Sequence, residues 1–180
     1  MNISTFSFNV PDTKGGRHDL HQLFLEVISS LYSLEKQLTE ELSKLIKEAQ
    51  ASELKLAVEF HQQETEDHIA RLEKIASELG EDLRPKTSAV MEAMVAESTR
   101  MLDEQKGRPS MDAAIIGMAQ NTQHYEIAAY RAAHLWAKQL GYQKVAVLLQ
   151  DTLDEEKGAD AKLTDIARSV ANSKAASAGA

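Results

Sequence analysis

Cysteine is absent from this chain of 180 residues, which excludes disulfides, thiolate zinc sites and cysteine nucleophiles. Any metal must therefore be held by nitrogen and oxygen, from His and carboxylate side chains. Proline and glycine are scarce, at 3 and 8 residues, so little punctuation interrupts long elements and the composition favours helices. Basic residues are outnumbered, with 20 Lys and Arg against 28 Asp and Glu and a formal charge of -8. That balance opposes phosphate backbones and anionic lipid surfaces, which need a basic footprint, so no nucleic-acid partner is expected. No segment approaches the run of about 20 apolar residues that a membrane span requires. Nor does Met1-Asn-Ile-Ser-Thr-Phe-Ser-Phe8 carry the basic stretch and apolar run of an export signal. A soluble, cytoplasmic protein without a membrane partner is the expectation. There is also no Gly-rich phosphate loop and no nucleophile elbow, which leaves hydrolase and nucleotide readings unsupported. What is present is 43% hydrophobic and 27% charged residues, on a chain long enough for one domain with a full core.

Apolar periodicity divides the chain. Residues 1–16 are mixed in character and end in Gly15-Gly16, reading as an irregular N-terminal arm, and the small-residue stretch 173–180 reads as a flexible tail. Between them, residues 17–172 read as a helical domain. Leu20, Phe24, Ile28, Leu31, Leu38, Leu42 and Leu45 recur every three or four positions and pass through Glu35, one stripe of a helix. A second helix from Ser52 to about Leu79 carries Leu56, Phe60, Leu72, Ile75 and Leu79, with Glu64 and His68 where apolar residues would be expected. Gly80 and Pro85 mark its end, and a shorter helix from about Ser88 to Glu104 follows. After Gly107-Arg-Pro-Ser110, a long helix to Leu140 has a stripe through Ile116, Ala119, Gln123, Glu126, Tyr130 and Ala133. Beyond Gly141, the last helix shows Val145, Leu148, Thr152, Glu156, Leu163 and Ile166.

Four acids fall at matching places. Glu35 and Glu64 straddle the break at Gln50-Ala51-Ser52 symmetrically, and Glu126 and Glu156 straddle Gly141. Two helices that fold back at a turn rise at the same rate per residue, so residues equidistant from it come level. The chain also reads as a weak internal repeat: sliding Glu35 onto Glu126 places Glu64 on Glu155, Leu72 on Leu163 and Ile75 on Ile166. One further residue puts Glu64 on Glu156 and His68 on Asp160, so Glu155 and Glu156 are alternatives at this position. The expected fold is all-α: a ferritin-like four-helix bundle of two antiparallel hairpins with an additional short crossover helix, the four acids in one layer.

The ferritin-like di-iron and di-manganese pattern takes one Glu from each of two helices and a Glu-x-x-His pair from each of the others. Here Glu35 and Glu126 supply the single acids, Glu64 and His68 one pair, and Glu156 and Asp160 the other. The pair spacing is four rather than three, and Asp stands where a second His would. Residues four apart still share a helix face. Taken singly, a mid-helix Glu is more often solvated than buried, and a lone His more often structural than a ligand. What raises these above that reading is four acids on apolar stripes at matching heights. Two divalent cations would balance four glutamates, and buried like charges are costly without such a counter-charge. His61 could reach the edge of the site, and His124 is expected at a helix interface. Tyr32, Gln123 and Tyr130 lie one turn from ligand candidates, where hydrogen bonds could orient carboxylates.

The segments Leu31-Tyr-Ser-Leu-Glu35-Lys-Gln-Leu38, Glu64-Thr-Glu-Asp-His68-Ile-Ala-Arg-Leu-Glu73, Gln123-His-Tyr-Glu126-Ile-Ala-Ala-Tyr130 and Leu148-Leu-Gln-Asp-Thr-Leu-Asp-Glu-Glu156-Lys-Gly-Ala-Asp160 resemble the YciF/YciE-type ferritin-like stress proteins. The resemblance implies a ferritin-like bundle, often a homodimer, tied to bacterial stress responses and related to rubrerythrin-like di-metal proteins. It marks Glu35, Glu64, Glu126 and Glu156 as acidic core positions with Asp160 in pattern, and makes the imidazole of His68 optional. The Val90-Met-Glu-Ala-Met-Val-Ala-Glu97 stretch departs from the family's Met-Glu-Gly-Leu at Ala93. The resulting expectation is a stress protein binding iron or manganese at Glu35, Glu64, His68, Glu126, Glu156 and Asp160, with oxidation of Fe(II) or removal of peroxide feasible. The alternative is a non-catalytic structural or interaction protein with the same bundle.

Overall fold

The computed structural model describes residues 14–83 and 88–171. Residues 1–13, 84–87 and 172–180 lie outside the described residues, and with them most of the expected arm, Pro85 and the expected tail. Every described element is helical: α1 (Lys14–Glu48), α2 (Ser52–Leu79), α3 (Ala89–Gln105), α4 (Met111–Leu140) and α5 (Gln143–Ile166), the last running into a π-helical turn, Ala167–Ala171. None of the described helices is long and apolar enough to cross a membrane.

The connections explain the topology. Gly141 ends α4 at φ 83°, a left-handed conformation that favours glycine. From it the Tyr142 N–H reaches the Ala137 carbonyl at 2.8 Å and the Gly141 N–H reaches Lys138 at 3.1 Å. This paired closure satisfies the last carbonyls and turns the chain back on itself. Gly80 closes α2 in the same manner. The α1–α2 turn has no such glycine and no side-chain cap of its own at Ala51. Asp112, buried at the start of α4, supplies one from a distance: its carboxylate accepts from the Gln50 N–H at 2.7 Å and the Ala51 N–H at 3.0 Å. Ser88 caps α3, accepting from the Met91 N–H. α1 begins at Lys14 and takes in Gly15-Gly16, where the sequence reading closes the arm. Arg17 donates to the Leu140 carbonyl at 2.8 Å, which ties this first turn to the end of α4.

Each hairpin's helices pack on each other, α1 on α2 and α4 on α5, and the hairpins join through α1 with α4 and α2 with α5. α3 lies across α4 and α1. The apolar interior falls into two bodies. One contains Leu38, Leu42, Leu54, Val58, Ile115 and Leu163; the other contains Phe24, Ile28, Leu72, Ala133, Leu149 and Leu153. Along every long helix the sequence passes from one body to the other, and the residues at the crossing are polar.

Candidate metal centre

That crossing is a chamber. Glu35 comes from α1, His61 and His68 from α2, Gln123, Glu126 and Tyr130 from α4, and Glu156 from α5, and all are buried. The three glutamates are 0% exposed. The buried face of α2 runs Leu54, Val58, His61, Thr65, His68, Leu72, Ile75, an alternation of four and three that keeps one face turned inward. Leu56 and Phe60 belong to a neighbouring stripe and are 64% and 62% exposed. Glu64 continues that outer stripe, one turn after Phe60. The apolar spacing of Leu56 and Phe60 predicts an inward stripe that continues to Glu64; the structure instead places His61 on the buried face.

Two triads of potential ligands share the chamber: Glu35, His68 and Glu156 form one, and His61, Glu126 and Glu156 the other. Glu156 is common to both. His68 Nδ1 lies 3.4 Å from Glu35 Oε1 and 3.3 Å from Glu156 Oε1, yet it makes no hydrogen bond. Atoms that ligate one ion from about 2.1 Å, at angles near 90–110°, stand roughly 3.0–3.4 Å apart. His61 Nε2 lies 4.0 Å from Glu156 Oε2, a looser approach. Among the described residues, every buried side-chain polar atom without a hydrogen-bond partner belongs to Glu35, His61, His68, Gln123, Glu126 or Glu156. Leaving such an atom unsatisfied costs about 1–3 kcal/mol, so a concentration of them in one chamber marks a place built for something else to fill. The donor set of carboxylate oxygen and imidazole nitrogen fits iron and manganese.

Without a cation, protons take over the neutralising role. Burial disfavours a charged imidazole at His68, but the Glu156 and Glu35 carboxylates outweigh it and push its pKa up to about 10. Burial, with Glu156 and Glu35 close by, pushes Glu126 well above the ordinary carboxylate range. Glu156 is raised by burial although His68 draws it back. At His61, burial opposes the charged form, and Glu64 and Glu156 more than restore it.

A second ring of contacts holds this set in place. The Tyr130 hydroxyl donates to Glu35 Oε1; burial and the Glu35 charge raise the phenol well above its usual value, so it stays protonated as a donor. On the far side of His68, Nε2 meets Glu155 Oε2 at 3.0 Å. Arg71 grips the same Glu155 carboxylate at 2.6 and 3.0 Å. Burial works against that carboxylate's charge, but Arg71 holds its pKa below the usual range. Tyr32 instead donates to Glu73 at 2.8 Å, away from the chamber.

Of the six residues named from the sequence, the structure gathers Glu35, His68, Glu126 and Glu156. Glu64 stands at the rim, partly exposed, its Oε2 3.6 Å from His61 Nδ1. Asp160 turns to the outer side of α4, accepting from Gln120 at 2.8 Å and lying 3.2 Å from His124 Nε2. His124 is exposed there rather than at a helix interface. His61 carried a usable signal: the four–three alternation from Leu54 to Ile75 runs through it and misses Glu64.

An all-helical bundle whose core is divided by buried carboxylates and imidazoles is the class these observations define. The chain belongs to the family described as a domain of unknown function, DUF892, whose family model matches residues 19–176. It is similar to protein YciF of Escherichia coli (strain K12), with 38% identity over 157 residues, 87% of this chain and 95% of that protein. The crystal structure of that E. coli stress protein matches with a TM-score of 0.79, covering 82% of this chain and 94% of its own. The YcfI structure from Rhodopseudomonas palustris matches at 31% identity and a TM-score of 0.78, over 81% and 92% of the two chains. A structure from Xanthomonas campestris pv. campestris shares the fold, with a TM-score of 0.71 at 20% identity over 90% and 99%. The resemblance to YciF-type stress proteins carried by the four motif segments agrees with these matches.

Proposed function

We propose that this protein is a ferritin-like four-helix bundle of the YciF-type stress family whose chamber holds two iron or manganese ions. Glu35 and His68 would hold one ion and His61 and Glu126 the other, with Glu156 available to both. Glu64 borders this set, its Oε2 3.6 Å from His61 Nδ1. The observation that carries this reading is the sharing of Glu156 between two triads, in the chamber that contains all the unpartnered buried side-chain polar atoms of the described residues. Ions of this kind, when bound, supply electron-transfer chemistry toward oxygen or peroxide, including oxidation of Fe(II).

The chain's own residues do the rest. Tyr130 orients Glu35 by donating to it. The Arg71–Glu155 pair holds His68 by Nε2, so that Nδ1 faces the chamber. Such outer partners fix ligand orientation and tautomer. The protons held by His68 and Glu126 leave as cations enter, coupling loading to pH. The two apolar bodies flank the chamber on either side along the helices. A homodimer, as the family resemblance implies, is the proposed working state in the cytoplasm, and light scattering tests its size.

Loading the purified protein anaerobically with Fe(II) or Mn(II), followed by desalting and elemental analysis, tests the reading. Two ions retained per chain are expected. No retained metal would leave the non-catalytic structural reading, with protons in place of ions.

A further inference from the structure

The bundle wall is open between α2 and α5. A cleft of about 490 Å³ enters there, within the size range of small-molecule sites. Leu56 and Phe60, the exposed outer stripe of α2, form its edge, while Leu42, Ala119 and Leu163 form a buried apolar floor. Exposed leucine and phenylalanine beside a deep apolar gap cost free energy unless something covers them.

The inner end is polar and specific. His61 and Gln123 line it, both more than nine-tenths buried, and His61 Nδ1 and Gln123 Oε1 have no hydrogen-bond partner. An amide oxygen accepts only, so it calls for an O–H or N–H donor, whereas an imidazole nitrogen can give or take. Charge narrows the choice. Glu53, Glu64 and Glu155 line the cleft against Lys162 and the His61 imidazole, which disfavours an anionic head group. A cationic head would meet the proposed bound cations behind His61. What remains is a neutral head with an O–H.

We propose that this cleft binds a neutral, elongated apolar molecule ending in a hydroxyl or hydroperoxyl group, with that end seated against His61 and Gln123. The inference rests in part on the metal-centre reading, since His61 also belongs to the second triad. It would make the apolar cleft the entry through which a substrate head group meets the centre.

The test titrates 1-alkanols from butanol to decanol into the metal-free full-length protein by calorimetry, with metal loading measured separately. Affinity should rise about fourfold per added methylene, the gain expected from roughly 0.8 kcal/mol per buried CH2, until the cleft is full. Gly158→Leu should reduce alkanol affinity at least tenfold. Gly158 lines the cleft, and a Cβ there meets nothing within 4 Å, so the fold should tolerate the change. Phe60→Ser, at the exposed rim, should weaken binding severalfold and guards against a misfolded Gly158→Leu. The n-alkyl hydroperoxides, measured alongside, identify the preferred head group by the tighter of the two affinities. Alkylcarboxylates of equal length should bind more weakly, and so should alkylamines once the protein is loaded with metal.

Absence of any chain-length dependence, or parental affinity in both variants, would overturn the inference. So would a parent that binds no alkanol and self-associates through this face, with Phe60→Ser abolishing the association, because that would assign the cleft to a second copy. Alkanol binding without metal uptake would retain the cleft and remove the metal centre. Metal uptake without alkanol binding would do the reverse.

Discussion

Glu155 and Glu156 are consecutive on α5, yet Glu156 is wholly enclosed between two imidazoles while Glu155 is 34% exposed and tied to Arg71. One residue along a helix is a rotation of about 100°, enough to place one carboxylate in the chamber and the other behind His68. The two therefore have different tasks, ligand and positioning group, and mutations should separate them.

Glu156→Gln should abolish loading at both positions, because both triads include it. Glu126→Gln should cost one ion of two. In metal-free protein Glu126→Gln removes a buried acid whose ionised form is disfavoured, and the melting temperature should rise by a few degrees, equivalent to about 1 kcal/mol for a domain of this size. Metal content by elemental analysis and melting by circular dichroism check both halves.

Glu155→Gln and Arg71→Ala should leave two ions bound but lower metal affinity about 10- to 100-fold, the usual effect of losing an outer partner of a ligand. Competition with a chelator of known affinity measures it. Full affinity in both variants would remove Glu155 from its positioning role.

Asp112→Ala should destabilise the protein by about 1–3 kcal/mol, since two N–H groups at the α1–α2 turn lose their acceptor. Metal stoichiometry should be unchanged, because Asp112 lies in neither triad. Chemical denaturation and elemental analysis separate the two effects.

The stability of metal-free protein should fall as pH rises. His68, with its folded pKa raised from 6.5 to about 10, contributes stability that is fully present below 6.5 and lost through about 10. Glu126, raised well above the ordinary carboxylate value of 4.5, acts in the same direction, its contribution fading as pH rises above 4.5. Cations displace these protons, so the increase in melting temperature on metal addition should grow between about pH 6 and pH 9. A thermal-shift series at fixed free metal tests it; a shift independent of pH would contradict the proton–cation exchange.

Helix number and the stops at Gly80 and Gly141 are legible because they depend on local chemistry, whereas the start of α1 at Lys14 lies inside the stretch that Gly15-Gly16 marks as irregular. The positions of Glu35, Glu126, Glu156 and His68 followed because those residues interrupt or continue stripes that are in fact buried. The second helix misled because Leu56 and Phe60 are apolar yet exposed along a cleft, so the stripe drawn through them led to Glu64 and past His61. Asp160 shares the spacing but turns toward Gln120 and His124, a difference in helix facing that spacing alone does not resolve. The Asp112 cap and the Arg71–Glu155–His68 chain join residues distant in sequence, and no local pattern reports such contacts.

The most direct test is anomalous diffraction from crystals loaded with Fe(II) or Mn(II), recorded above and below the metal edge. The account predicts two peaks, one on each side of the Glu156 carboxylate, the first beside Glu35 and His68 and the second beside Glu126 and His61. A chamber with no anomalous density, or density only at the surface pair His124 and Asp160, would contradict it.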